Sequence, residues 1–179
     1  IGDNPPYSFD SYPAFQTGTR VYITLPGGKR EGFTFQPYEK AGDDLGITAY
    51  WHPQFIPDGG VFDTLTVPDT SLMQLDDGQY VSAFGSSFDS YNPADPVFGG
   101  TYTLTQPDGT AYTINANTDQ ITSVSDRNGN TLTFTDTGIT SNHGVSITFT
   151  RDAQDVSVRC VTLGGGAARR GREASRGRI

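Results

Sequence analysis

From Arg20 onward, apolar and polar side chains alternate in short runs broken by glycine, proline and Asp-Gly or Asn-Gly pairs. A period of two belongs to a pleated strand whose successive side chains face opposite sides. Residues 21–25 (VYITL) and 32–35 (GFTF) flank Pro26-Gly27-Gly28, and two alternating runs about a Pro/Gly break predict a hairpin. Residues 72–75 and 80–84 flank Asp76-Asp77-Gly78 in the same way, the Asp-Gly pair supplying the positive φ of a tight turn. Between these hairpins lie shorter β-like runs at 47–51, 55–56 and 61–67. The last is stopped by Pro68, which has no N–H to give to a ladder.

The signal is strongest after residue 100. Gly109-Thr-Ala-Tyr112-Thr113-Ile114, Gly129-Asn-Thr-Leu132-Thr133-Phe134 and Gly144-Val-Ser-Ile147-Thr148-Phe149 repeat one pattern: glycine, two intervening residues, then apolar, threonine, apolar. Each is followed by a second short element, at Ile121-Thr122-Ser123, Ile139-Thr140-Ser141 and Val156-Ser157-Val158. A lone hairpin cannot bury its apolar face, so repeated copies must add edge to edge. The expected fold is all-β: consecutive antiparallel hairpins forming an extended or partly wrapped sheet, without substantial helix.

Four segments follow. Residues 1–19 are an irregular lead-in that lays Tyr7, Phe9, Tyr12 and Phe15 on the core, and 20–99 are β-rich but irregular. Residues 100–158 hold the hairpin repeat, and 159–179 form a basic Gly/Arg tail. Residues 85–99 read as a long loop carrying Phe88, Tyr91 and Phe98, a natural place for function.

Composition strengthens the β reading. Hydrophobic residues are 34% and charged residues only 18%, so polarity comes from Thr, Ser, Asn, Gln and Gly, which suit strands and turns rather than long helices. The net charge of −8 repels phosphate backbones and argues against nucleic acid as a partner. Cys160 is the single cysteine, so no intrachain disulfide forms, and no apolar run approaches the roughly 20 residues of a membrane span. The chain opens on Ile1-Gly2-Asp3 without Met or signal peptide and reads as a fragment or processed product. Five of its 12 basic residues (Arg169, Arg170, Arg172, Arg176 and Arg178) crowd the tail. That tail reads as a basic arm, a disordered linker, or sequence foreign to the domain.

Residues 121–139 (ITSVSDRNGNTLTFTDTGI) and 144–154 (GVSITFTRDAQ) resemble the RHS/YD repeats of large bacterial proteins, and 20–35 and 92–114 resemble the segment that precedes such repeats. Two positions depart from the family phrase. Phe134-Thr-Asp136 and Phe149-Thr-Arg-Asp152 stand where it has Tyr-Asp, and Asp155-Val156-Ser157 replaces the expected Gly-Arg-Ile/Leu, so the array is expected to stop or lose frame near residue 155. The resemblance implies a structural or interaction β-repeat segment, the opening piece of a large protein that is secreted or held in the cell envelope. Its partners would be neighbouring repeats, or another copy paired through an open strand edge.

Residues with chemical potential are scattered. His52, beside Tyr50-Trp51 and Pro53, together with Asp43, Asp44, Asp58 and Asp63, is the candidate set for a small hydrolase acting on glycans or esters. Against it, Asp58-Gly59 has the form of a turn, and no Gly-x-Ser-x-Gly elbow is present. Tyr50, Trp51, Phe88 and Tyr91 are candidates for a glycan-binding face, or alternatively core aromatics. Asp126, Asn128 and Asn130 have the spacing that begins a calcium loop, but Thr131 and Thr137 stand where an EF-hand needs Gly and Glu, and a hairpin turn explains the same residues. No cofactor other than this calcium candidate is expected.

Overall fold

A computed structural model of the chain describes residues 12–40, 50–84, 88–151 and 156–162. Asp43, Asp44, Tyr7, Phe9 and the tail beyond Thr162 lie outside them.

The structure is all-β and antiparallel. Strands β1 (Arg20–Thr24) and β2 (Arg30–Phe35) form the first expected hairpin, closed over Gly27 and Gly28 at φ 97° and 86°. Next come β3 (Tyr38–Lys40) and β4 (Tyr50–His52), which pair with each other. Then β5 (Phe55–Pro57) returns to the free side of β2. Strand β6 (Thr64–Thr66) is followed by the second expected hairpin, β7 (Leu72–Gln74) with β8 (Tyr80–Ser82). The repeat supplies β9 (Thr101–Thr105), β10 (Ala111–Asn115), β11 (Ile121–Ser125), β12 (Thr131–Thr135), β13 (Gly138–Ser141), β14 (Val145–Arg151) and β15 (Val156–Thr162). Three sheets result: β1-β2-β5, β3-β4-β7-β8, and the eight-stranded β15-β14-β13-β12-β11-β10-β9-β6.

The last sheet is a meander built from the repeat. Gly109, Gly129 and Gly144 sit at φ 90°, 80° and 81°, and each donates its N–H to the carbonyl three residues earlier, of Gln106, Asp126 and Ser141. One glycine per repeat therefore fixes one tight turn. Register aligns Leu65, Leu104, Tyr112, Val124 and Leu132 in a row on one face. On the other, Thr66, Thr103, Thr113, Ser123, Thr133, Thr140 and Ser146 stand in rank. The array does not end near residue 155, because β15 pairs with β14 over its whole length. Val156-Ser157-Val158 keeps the period of two, and that suffices to continue a ladder.

All three sheets contribute to one core. It gathers Ile23, Phe33, Phe35 and Phe55 with Leu72, Tyr80, Leu65, Tyr102, Leu104 and Ile114. Phe35 is its centre, with ring centroids of Phe15, Phe55, Tyr80 and Tyr91 all at 5.4–5.6 Å. Such contacts add about 0.5–1.5 kcal/mol each beyond the buried area.

Phe15 joins as expected of the lead-in, giving its N–H to Tyr91 and its carbonyl to the Tyr80 N–H. Residues 88–99 are not the structureless loop that their composition predicts. Ser90 bridges Val81, and Tyr91 and Phe98 enter the core. The Asn92 amide donates to Pro13 O at 2.9 Å, and the Asp95 carboxylate caps a 3-10 turn at Pro96–Phe98. The Asn92 and Asp95 side chains satisfy backbone groups that no sheet covers, while Tyr91 and Phe98 anchor the segment to the core.

Candidate functional site

His52 ends β4 directly opposite Tyr38 of β3, and the two rings stack with centroids 5.6 Å apart and planes 28° from parallel. The link from β6 in the large sheet to β7 beside β4 carries Asp69 back to the histidine. His52 Nδ1 and Asp69 Oδ1 are 2.6 Å apart. The imidazole is nearly buried at 7% exposure, whereas the Asp69 side chain is 67% exposed. A carboxylate on Nδ1 fixes the ring orientation and, in the neutral ring, leaves Nε2 as the basic nitrogen. An oriented imidazole of this kind is one of the parts that general-base chemistry requires. Among the described residues, Asp69 is the only side chain hydrogen-bonded to His52, and no hydroxyl or thiol completes the set.

Of the candidate acids among the described residues, Asp58 and Asp63 do not converge on this histidine. Asp58 forms an ion pair with Arg20 on the outer face of the three-stranded sheet. Asp63 is buried at the head of β6, with the Gln106 amide donating to it at 3.5 Å. Glu31, which the sequence reading passed over, is fully buried beside Lys29, Nζ to Oε1 2.5 Å, and the pairing raises the lysine's pKa. The signal was present in the sequence: Glu31 shares the inward phase of Phe33 and Phe35.

The aromatic candidates divide. Trp51 turns inward, in edge contact with Tyr80 at 6.0 Å. Tyr91 is 1% exposed within the core, and its burial pushes the phenol far above its ordinary pKa. Tyr50 packs on Phe84 at 5.0 Å, and Phe84 and Phe88 are 66% and 74% exposed. Tyr38, another aromatic of this half of the chain, is 45% exposed.

Asp126, Asn128 and Asn130 form a hairpin turn closed on itself. Asp126 Oδ1 accepts from the Asn128 and Asn130 N–H groups at 2.8 and 2.9 Å, and Oδ2 from the Asn130 amide at 2.6 Å. Both carboxylate oxygens, the first ligands a calcium loop would need, are thus engaged within the turn. Asn130 Oδ1 lies 2.5 Å from His143 Nε2, tying this turn to the next. A shallow concavity of 230 Å³ beside it has Val124 and Leu132 as its floor.

Compared with protein-family models, curated proteins and solved structures, the chain matches none. No helix among the described residues is long and apolar enough to cross a membrane.

Proposed function

We propose that the chain is a structural, interaction-bearing β-repeat segment of a larger exported bacterial RHS-like protein. The observation that carries this reading is the exact correspondence between repeat and sheet: three glycine turns begin β10, β12 and β14, and every strand from β9 to β15 pairs with its neighbour in sequence. Such a sheet has no internal limit to its length and grows by adding hairpins at its edge. The test is to append a further copy of residues 126–141 after residue 162, at the open side of β15. Increased amide protection across β14 and β15 is expected. An unstructured added copy with unchanged protection would overturn the repeat reading.

The hydrolase reading has one observation in its favour, the His52–Asp69 pair. Chromogenic esters and glycosides, assayed with wild type and His52→Ala, separate the two. A scaffold gives no turnover that depends on His52, whereas turnover abolished by that substitution would establish an enzyme.

A further inference from the structure

The four-stranded sheet has two unlike faces. Leu72 and Tyr80 point into the core, with Trp51 against them. On the opposite face, strand alternation places Tyr38 and Lys40 of β3 with Tyr50 and His52 of β4. Tyr38 stands opposite His52 and Lys40 opposite Tyr50, so the two tyrosines are diagonal neighbours with Cα atoms about 7–8 Å apart. His52 backs the Tyr38 ring in near-parallel stacking, and Phe84 backs Tyr50. Beside the first pair stands the mostly exposed carboxylate of Asp69, held through Oδ1 by the buried histidine, with Oδ2 free of any side-chain partner among the described residues.

We propose that this face binds a neutral oligosaccharide, with Tyr38 as the stacking platform for one sugar ring and Asp69 as the acceptor for its hydroxyls. A pyranose presents an apolar C–H face and a rim of hydroxyl groups, and the arrangement meets both. The half-exposed Tyr38 ring is stacked on His52, and the same histidine holds the Asp69 carboxylate by a hydrogen bond. Sites of this kind combine aromatic walls with a few oriented polar groups. Tyr50 and Phe84 extend the platform toward a second sugar. A dry apolar partner fits poorly, because it would strip water from Asp69 and Lys40 without pairing them. An anionic glycan is repelled by Asp69 and by the chain's net charge of −8. The site lies outside the repeat array and stands whether or not the array reading holds.

The test is affinity electrophoresis of the whole chain through native gels containing hydroxyethylcellulose, laminarin, xylan, galactomannan or pectin. Retardation by at least one neutral polysaccharide is expected, weakened about tenfold by Tyr38→Ala and by Asp69→Asn. The second substitution keeps an acceptor for His52 and so preserves the fold. Phe62→Ala, at a residue 81% exposed and outside the strands that form the face, serves as the control and leaves binding intact. Circular dichroism melts confirm that each variant is folded. No retardation by any neutral polysaccharide, retardation by pectin alone, or retardation unchanged in both site variants would each overturn the proposal.

Discussion

Gly32 lies under the Arg20–Asp58 ion pair, across the ladder from Tyr22, whose ring is also flanked by Arg30 at 4.2 Å. A Cβ at this position would overlap the Asp58 carboxylate and stand 2.8 Å from Arg20 Nη2. Gly32→Ala therefore has to displace only the free ends of the Asp58 and Arg20 side chains, and a loss below about 1 kcal/mol is expected in urea denaturation. Exposed ion pairs contribute little, so Asp58→Asn should cost a similarly small amount, and a loss of several kcal/mol in Gly32→Ala would show that the backbone has to move instead. In the turn at Asp126, hydrogen bonds from the Asn130 side chain and backbone favour the carboxylate and hold its pKa below the ordinary value. The folded state thus binds this proton less readily than the unfolded state. The turn's contribution is complete above about pH 4 and is lost as pH falls through the lower folded value. Amide protection of Asn128 and Asn130 should hold from pH 7 to 5 and fall in acid. In Asp126→Ala, protection should be low at every pH. At this scale the sequence marked His52 but not its partner. Asp69 is 17 residues away, and only the passage of the chain from one sheet to another brings them together.

Legibility at the level of elements followed from how local each signal is. The hairpins at β1–β2 and β7–β8 and strands β9 to β14 of the meander could be read from period-two alternation and turn glycines, because register in a tight hairpin is set within a few residues. The placement of β5 beside β2 and of β6 beside β9 was hidden, since these pairings depend on packing against distant aromatics. The same locality gives the meander a graded stability. Strands β9 and β10 rest on the core through Tyr102, Leu104 and Ile114, while β11 and β12 have no fully buried side chain. Gly138 in β13 packs against the backbone of β14, and a Cβ there would overlap the Ile147 carbonyl, whose carbon would be 3.1 Å away. Backbone cannot move aside as a side chain can. Gly138→Ala should release β14 and β15 from protection in hydrogen exchange while β9 and β10 stay protected. Uniform loss along the sheet would mean that the array unfolds as one unit rather than hairpin by hairpin.

For the whole molecule, the decisive fact is where charge is missing. The chain carries a net charge of −8, yet β11, β12 and β13 contain no charged side chain and β14 only the terminal Arg151. Along these strands the apolar row leaves the core and reaches the surface: Leu132 and Val145 are each 45% exposed, and Leu132 lines the concavity together with Val124. Natural sheets guard such faces with lysine, proline or inward charge, and on β11, β12 and β13 those residues are absent. Charge elsewhere keeps copies apart at long range, but nothing on these strands opposes contact once two copies meet. Weak self-association through this end of the sheet is therefore expected, growing with protein concentration in sedimentation velocity. Salt should strengthen it, because screening weakens the acidic repulsion and leaves the apolar contact unchanged. Leu132→Lys with Val145→Lys should restore a monomer without loss of fold, since both positions are open to solvent. A wild type that stays monomeric at every concentration and salt level would show that the uncharged strands are sufficiently guarded by their own twist and short length.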